Sequence, residues 1–160
     1  MRKKDASSEG IHLIAQNRSA SYHYHILERY EAGLVLQGTE VKTLREGKVT
    51  LREAYAEARG GEIWLQNSHV PEYQPGGPYN HAALRARKLL LHRREIEKLS
   101  ALIQQKGLTL VPLRLYFKDG IVKCELGVAR GKKQHDRRQA ERDREARREA
   151  DDAMYRHRRR

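Results

Sequence analysis

The stretch Leu108–Ala129, LTLVPLRLYFKDGIVKCELGVA, decides the fold. In its first half, residues 108–117, apolar side chains recur at every second position, which is typical of a strand with one buried face. These side chains are Val111, Leu113, Leu115 and Phe117. The turn sequence Lys118–Gly120 follows, and residues 121–129 supply a second strand. We therefore expect a long antiparallel hairpin at the centre of the fold.

Shorter strand patterns repeat on the N-terminal side of this hairpin. Alternation over residues 21–36 predicts a strand, and Gly60-Gly61 separates two further strand patterns at 49–58 and 62–70. The proline-rich segment 71–78 predicts a loop. Because no strand–helix–strand rhythm is present, the pattern predicts a mainly β protein with helices, built as a small closed antiparallel barrel.

Two helices are predicted between the strands. Thr39 is suitably placed to cap a short helix that Gly47 ends. The segment His92–Lys106 has the clearest helical pattern, because four apolar side chains fall on one face at helical spacing. These are Ile96, Leu99, Leu102 and Ile103. Glu95 stands three residues after His92, which is the spacing of a capping box.

Charge is spread unevenly along the 160 residues, which contain 33 Lys and Arg against 21 Asp and Glu and have a net charge of +12. Residues 130–160 hold 13 basic and 7 acidic side chains, with only Met154 and Tyr155 as large apolar ones. The sequence therefore predicts a flexible N-terminus (residues 1–10), a folded body (residues 11–129) and a basic tail (residues 130–160). The positive charge favours a polyanionic partner, most often nucleic acid.

The tail alternates charges at helical spacing, as in the i,i+4 pair Asp143 and Arg147. Glu141, Glu145 and Glu149 repel one another along one stripe, and no apolar face adds stability. We expect this segment to lack stable order alone and to become helical against an anionic surface. The alternative is a solvated tail that only aids solubility.

Several classes of protein are disfavoured by the residue content. Cys124 is the single cysteine, so the sequence has neither a disulfide framework nor a cysteine-based zinc site, which fits a reducing compartment. No apolar run approaches the roughly 20 residues that cross a bilayer, and the first residues do not resemble a signal peptide. Anionic lipid is a poor partner, because the tail has no apolar face to insert. We expect a soluble cytoplasmic protein that does not bind membranes.

The eight histidines suggest an enzyme or a metal site as an alternative. His23 and His25 would lie on one side of a strand, and His69 or His81 could supply a third ligand, but no ligand spacing supports this. Motifs for a nucleophile, a phosphate-binding loop or an acidic pair are missing. The sequence therefore predicts no catalytic residue, no metal and no cofactor. A hydrolase or nuclease that uses the histidines stays open.

Basic residues surround the apolar segment Leu89–Leu91 and predict a rim that contacts phosphate. They are Arg85, Arg87, Lys88, Arg93 and Arg94. The chain also has 8 tyrosines, on which unpaired bases can stack, although core packing explains any single one at least as well. A general single-strand RNA-binding barrel with a basic tail would account for these features too.

Three stretches, in the same order, closely resemble the SmpB family of bacterial SsrA-binding proteins. They are EAGL at 31–34 continuing through GTEVKTLR at 38–45, RKLLL at 87–91 and GKKQHDRR at 131–138. Asn17 and the sequence VPL at 111–113 add to the resemblance, which covers about residues 14–138 in register. The resemblance implies an oligonucleotide-binding-fold (OB-fold) barrel. It also implies binding of tmRNA, which is brought to ribosomes stalled on messages that lack a stop codon.

The resemblance also implies which residues contact RNA. Glu31, Leu90 and Lys123 match tmRNA-contacting positions, and Asn17 matches a family position for which a polar contact is expected. Lys123 suits a phosphate, Glu31 a base or a basic side chain, and Leu90 a packing contact. In the tail, seven residues match the segment that enters the ribosomal decoding centre and the empty mRNA channel. They are Gly131, Lys132, Lys133, His135, Asp136, Arg137 and Arg138. An imidazole such as that of His135 can stack on an rRNA base.

The implied partners are tmRNA and the 70S ribosome, which the chain would contact as a monomer through small-subunit rRNA. Elongation factor Tu and alanyl-tRNA synthetase are expected only indirectly, through tmRNA. Two positions depart from the family pattern. Arg137 stands where Lys is most common, and the two side chains differ in geometry. Residues 21–24 read SYHY instead of Arg-His-acidic-Tyr, which leaves Tyr22 and His23 without an implied role.

Overall fold

The structure is a computed structural model that describes residues 10–105 and 107–159, without the side chains of residues 134–136. The strands of this part are β1 (Ile11–Gln16), β2 (Tyr24–Leu34), β3 (Tyr55–Arg59), β4 (Glu62–Gln66), β5 (Arg87–Leu90), β6 (Leu108–Lys118) and β7 (Ile121–Gly131). Its helices are α1 (Ala20–His23), α2 (Gly38–Arg45), α3 (Arg93–Ile103) and α4 (Gln134–Arg158), with a 3₁₀ helix at Gln74–Tyr79. The expected flexible N-terminus, residues 1–10, lies outside the described residues except for Gly10.

The strand pairs are antiparallel, and their pairings form a closed circuit, as a barrel requires. From β6 the pairing passes to β3, β4, β5, β2 and β7, and β7 then pairs with β6 over its whole length. The strand β1 pairs with the C-terminal part of β6. The predicted hairpin is confirmed as β6 and β7, and so is the mainly β class with helices.

The strand β6 changes face at an irregularity over residues 112–114. Beyond it, Leu115 and Phe117 pack on the main core, whereas Val111 before it and Leu113 within it belong to a second, smaller cluster. The prediction that these four side chains share one face is therefore wrong. An extra residue in one strand of a pair reverses the alternation of side chains beyond it, and the apolar pattern alone does not reveal this.

The helix α3 packs against the main core through Leu99, which is completely buried. At its start the backbone N–H of His92 donates a hydrogen bond to Oε1 of Glu95 at 3.1 Å, which confirms this half of the predicted capping box. The helix ends at Ile103, three residues before the predicted end at Lys106, and Lys106 lies outside the described residues. This arrangement fixes the start of α3 beside the end of β5.

The helix α2 is capped by Gln37 rather than by Thr39. The backbone N–H of Gln37 donates to Oε1 of Glu40 at 2.8 Å, which satisfies an amide at the start of the helix. The hydroxyl of Thr39 instead lies 2.8 Å from Nδ1 of His81, which is buried. The predicted cap was therefore two residues too late.

The strand predicted at 21–36 begins only at Tyr24, because residues 20–23 form the helical turn α1. His23 and His25 therefore do not lie on one strand, as the metal hypothesis required. No group of three metal-ligating side chains occurs within the residues that the structure describes. The turn predicted at Gly60-Gly61 is confirmed, and both glycines have positive φ, at 60° and 77°.

The basic tail forms the long helix α4, which is the helical form that we expected it to adopt against an anionic surface. Helix-spaced polar pairs support it, such as the bond from Gln139 to Asp143 at 3.1 Å. From residue 141 to residue 159 every side chain is exposed, so α4 buries almost no apolar surface. Among the described helices, none is both long enough and apolar enough to cross a membrane.

Candidate nucleic-acid interface

Three adjacent strands bring the predicted tmRNA-contacting side chains of the body together. Gly33 on β2 pairs with Leu90 of β5 on one side and with Lys123 of β7 on the other. Glu31 lies two residues before Gly33 and therefore on the same face of β2. Together with His92 at the start of α3, these residues line an open pocket of about 320 Å³, which we call the β2 pocket.

The β2 pocket has an apolar wall beside a glycine of β2. Leu90 forms this wall and is 50% exposed, although it lies within a strand. A Cβ atom at position 33 would lie 3.3 Å from the Cβ of Leu90, so a larger residue there would press against Leu90. An exposed aliphatic side chain such as that of Leu90 can pack against the face of a base.

The carboxylate of Glu31 is fixed at the pocket by two side chains of β6. The hydroxyl of Tyr116 donates to Oε2 at 2.5 Å, and Nζ of Lys118 lies 3.2 and 3.3 Å from the two oxygens. The bond from Tyr116, assisted by Lys118, holds the pKa of Glu31 below its usual value. Burial and the bond to Glu31 raise the pKa of Tyr116. Glu31 is therefore an ionised acceptor that suits N–H or O–H donors and repels phosphate.

Lys123 places a positive charge next to this acceptor. It lies on β7 between Gly33 of β2 and Tyr116 of β6, and it is half-buried. Its charge contributes to the lowered pKa of Glu31, so the two groups interact electrostatically. The β2 pocket thus combines a cation for a phosphate, an acceptor for a base edge and an apolar side chain for a base face.

Asn17 lies away from the β2 pocket and has a structural role. Its side-chain amide donates to the backbone oxygens of Pro112 at 3.0 Å and Leu51 at 3.4 Å, and its Oδ1 accepts from the hydroxyl of Ser19 at 2.9 Å. Both amide hydrogens are therefore used within the protein. Asn17 lines a second cavity, of about 520 Å³, together with residues of α1 and the start of β3 such as Tyr55.

Only some of the residues predicted to form a basic rim are exposed, and the others are paired within the protein. Arg87 is 1% exposed, and its guanidinium pairs with Glu40, which is completely buried. Arg85 pairs with the same carboxylate, and Lys88 pairs with Glu62 on the neighbouring strand. The prediction that Arg87 contacts phosphate is therefore wrong, because its charge is neutralised inside the protein.

Two arginines of the predicted rim, Arg93 and Arg94, do remain exposed at the start of α3.

Burial opposes ionisation of Glu40, but the bonds from Arg85 and Arg87 outweigh it and leave the pKa of Glu40 below its usual value. The sequence feature that could have indicated this buried pairing is Glu40, because it shares the inward face of α2 with Leu44 at i,i+4 spacing. A buried carboxylate needs a cationic partner, and the nearest run of arginines is at 85–87.

The first predicted tail residues are joined to the body. Gly131 pairs with Tyr24 at the end of β7. The backbone N–H of Lys132 donates to the oxygen of His23 at 2.8 Å, and its Nζ donates to the oxygen of Ser21 at 2.8 Å. Lys133 is exposed at the start of α4.

The other predicted tail residues lie in the first turns of α4. Arg137 is half-buried and Arg138 is exposed. The side chains of His135 and Asp136 lie outside the described part. The structure therefore separates this group into Gly131 and Lys132, which belong to the body, and a helix that begins at residue 134.

Tyr22 joins the body to α4, which the sequence did not indicate. Its hydroxyl donates to Oε1 of Glu141 at 2.7 Å, and the guanidinium of Arg144 lies 5.5 Å from the centre of its ring. The bond to Glu141 raises the pKa of Tyr22. The sequence feature that could have indicated this contact is the i,i+3 spacing of Glu141 and Arg144, which places both on one side of a helix.

The remaining candidates for chemistry have structural roles. Cys124 is completely buried on β7, and burial raises the pKa of its thiol to about 12, so it is an inert core residue. His81 is buried between the hydroxyl of Thr39 and the backbone oxygen of Val70, at 2.8 and 2.9 Å. Neither group is available for catalysis.

Known proteins are similar to this chain over most of its length. Residues 14–156 match the family model described as SmpB protein. An SsrA-binding protein of Thermosynechococcus vestitus is 54% identical over 147 residues, which cover 91% of this chain and 97% of the relative. An SsrA-binding protein of Streptomyces coelicolor is 55% identical over 146 residues, which cover 91% of this chain and 92% of the relative.

A solved structure has a similar fold, with a TM-score of 0.64 and 49% sequence identity, over 75% of this chain and 85% of the other. It is described as "tmRNA-SmpB: a journey to the center of the bacterial ribosome". The sequence matches thus extend over the body and over most of α4.

Proposed function

The chain belongs to the SmpB family, and from this premise we propose that it is the RNA-binding adaptor of trans-translation. It binds tmRNA and associates with the ribosome. The observation that supports this most is the β2 pocket, because the paired strands β5, β2 and β7 gather Leu90, Glu31 and Lys123 at one open surface. The likeness of the chain to SsrA-binding proteins covers about nine-tenths of its length.

In our proposal the body grips the tRNA-like part of tmRNA through the β2 pocket. Lys123 bonds a phosphate, Leu90 packs against a base or sugar, and Glu31 accepts a hydrogen bond from the RNA. Asn17 contributes indirectly, because its amide ties the segment after β1 to the backbone of β6. A pocket of about 320 Å³ suits a single nucleotide better than a duplex.

The tail carries the second part of the proposed function. Residues from Lys133 onward enter the decoding centre, where Arg137, Arg138 and the expected contacts of His135 and Asp136 lie, and α4 then follows the empty mRNA channel. An intact message excludes this helix by volume, since both need the same anionic tunnel. The exposed surface of α4 supports this role, because a helix without an apolar face leaves its charged side chains available to an anionic surface.

The remaining expectations belong to the same proposal. The protein acts as a monomer in the cytoplasm, performs no chemistry itself, and needs no metal or cofactor. Elongation factor Tu and alanyl-tRNA synthetase act on the tmRNA that it holds. The histidines of the metal hypothesis are spread over α1, β2 and the loops, which supports a binding protein over a nuclease.

A binding comparison tests the proposal. The affinity of the purified chain is measured for the tRNA-like domain of tmRNA and for an unstructured RNA of equal length, at one salt concentration. We expect a preference of at least about tenfold for the tRNA-like domain, and we expect Lys123→Ala to remove most of it. Equal affinities would favour a general single-strand RNA-binding barrel, whose binding depends on charge alone. Cleavage of either RNA would favour the nuclease.

A further inference from the structure

Resting on the proposed function, we infer that Tyr116 is a positioning residue for RNA binding, which fixes the carboxylate of Glu31 in the orientation that the β2 pocket needs. Tyr116 is only 3% exposed, so an RNA cannot reach it directly. Any effect of its hydroxyl on RNA binding must therefore pass through Glu31, the group that accepts its hydrogen bond.

The geometry of the bond is unusual for a sheet. Glu31 is on β2 and Tyr116 is on β6, and β7 lies between these strands. The hydrogen bond between the two side chains therefore spans β7 beside Lys123, which pairs in register with Tyr116. This holds the acceptor and the cation of the pocket next to each other. A Glu31 without this bond would be free to extend into solvent.

Two side chains bond the carboxylate of Glu31, and the carboxylate can still accept a hydrogen bond from a third group. Oε2 accepts from Tyr116 and from Lys118, whereas Oε1 accepts only from Lys118 among the described residues. A carboxylate oxygen has two lone pairs, so Oε1 has one acceptor position left. An amino or imino group of a base, or a ribose hydroxyl, can donate there. The position of that acceptor is set by the fixed end of the same carboxylate.

The ring of Tyr116 is fixed in turn by β6 and β7. The guanidinium of Arg114 lies 4.9 Å from the centre of the ring, and Arg114 pairs with Glu125 of β7. Glu125 also pairs with Arg29 at 2.7 Å. The hydroxyl that orients Glu31 therefore belongs to a side chain that has little freedom of its own.

A second group of the same composition offers a matched control. The hydroxyl of Tyr30 donates to Oε2 of Glu28 at 2.5 Å, and Nζ of Lys98 lies 3.3 Å from that oxygen. Glu28 is on β2, as Glu31 is, but it does not line the β2 pocket. Removing the Tyr30 hydroxyl breaks a bond of the same kind without touching the proposed RNA site.

The test compares Tyr116→Phe with Tyr30→Phe in the full chain. We expect Tyr116→Phe to weaken binding of the tRNA-like domain of tmRNA about fivefold, and Tyr30→Phe to leave it within about twofold. In the background of Glu31→Gln, Tyr116→Phe should have less than half of this effect, because the hydroxyl acts through the carboxylate. Both variants should bind an unstructured RNA of equal length with nearly the affinity of the parent chain.

A pH series gives a readout that a loss of stability would not produce. The bond from Tyr116 lowers the pKa of Glu31, so Tyr116→Phe should raise it, and affinity should fall at a higher pH than in the parent chain. Other titratable or charged groups that face Glu31 are Lys118, Lys123, Glu125, His92 and Glu95, and they are the same in both chains. Carbon-13 NMR of the Glu31 carboxyl group measures the same shift without RNA.

Each outcome decides the inference. If the parent chain does not prefer the tRNA-like domain, the proposed function fails and the inference fails with it. If the parent chain shows the preference and Tyr116→Phe behaves like Tyr30→Phe, only the inference is wrong. If Tyr116→Phe does not fold, Lys118→Met replaces it. Lys118 is partly exposed, and its loss should shift the pH profile in the same direction. An unchanged profile in that variant would overturn the inference.

Discussion

The body and the tail are both rich in charge, but they use it in opposite ways. In the body the buried charged side chains are paired, as Glu40 is with Arg87. In α4 every residue from 141 to 159 is exposed, and its charges face solvent. Charge that is neutralised within the fold fixes one conformation, whereas charge that faces outward is available to an RNA surface. This difference assigns a fixed structure to the described residues before 134 and adaptability to α4.

The body also provides the better-defined binding site. Its cation, Lys123, has a set position beside Gly33, because β-sheet register determines it. The basic side chains of α4 have no comparable constraint. We therefore expect selective recognition in the body and mainly electrostatic attachment in the tail.

The largest effect on stability should come from breaking the buried ion pair. Arg87→Ala leaves the buried carboxylate of Glu40 with only Arg85 as a cationic partner, and we expect the free energy of unfolding to fall by about 3–5 kcal/mol. In the tail, Arg148→Ala should change it by no more than about 0.5 kcal/mol, since Arg148 is exposed. Urea unfolding of both variants measures the difference. Similar values for the two substitutions would contradict it.

The second-largest effect on stability is expected from acid, which should destabilise the body. Although burial opposes it, bonds from Arg29 and Arg114 hold the pKa of Glu125 below its usual value, and the pKa of Glu40 is lowered as well. A lowered pKa in the folded state adds stability above the unfolded value, about 4.3 for Glu, and this stability is lost as the pH falls further. The urea midpoint should therefore decrease between about pH 5 and pH 3. A midpoint that stays constant over this range would exclude these carboxylates as the cause.

A smaller effect is expected for RNA binding by single lysines. Lys123→Ala should weaken binding of the tRNA-like domain by about 1–2 kcal/mol, as for one charge-assisted contact, and should reduce the salt dependence by about one phosphate. Lys133→Ala, in the exposed start of α4, is the matched substitution and should leave this affinity unchanged. Titrations at several salt concentrations measure both quantities. Equal losses in the two variants would remove the distinction between body and tail.

The smallest effect concerns the contact between the two regions. Tyr22→Phe removes the hydroxyl that bonds Glu141 and keeps the ring that Arg144 contacts. We expect faster amide hydrogen exchange in the first turns of α4 and no change in the exchange of β6 and β7. Exchange measured by NMR tests this. If exchange in α4 is unaffected, the Tyr22 bond does not hold the tail against the body.

The sequence predicted the parts of the fold that depend on local pattern. The β6–β7 hairpin, the start of α3 and the turn at Gly60-Gly61 follow from alternation, helical spacing and turn residues. The face change at residues 112–114 was missed because one extra residue reverses the alternation without altering composition. The cap of α2 was misplaced because Thr39 bonds a distant histidine instead of the helix start.

The candidate site was predicted by resemblance, and its arrangement needed the register of the sheet. Glu31, Leu90 and Lys123 are far apart in sequence, and only the pairing of β2 with β5 and β7 brings them together. Arg87 was misjudged because a run of basic residues does not reveal which of them has a buried partner. Tyr116 was overlooked because its role depends on a hydrogen bond that spans a whole strand.

Removing the tail while keeping its junction with the body tests whether the body binds tmRNA and the tail is needed on the ribosome. A chain that ends after Lys133 retains the pairing of Gly131 and the bonds of Lys132, and loses α4. We expect its affinity for the tRNA-like domain of tmRNA to stay within about twofold of the full chain. On ribosomes stalled at the end of a message, addition of the tmRNA-encoded peptide should be abolished. Loss of most tmRNA affinity, or normal peptide addition without α4, would contradict our account.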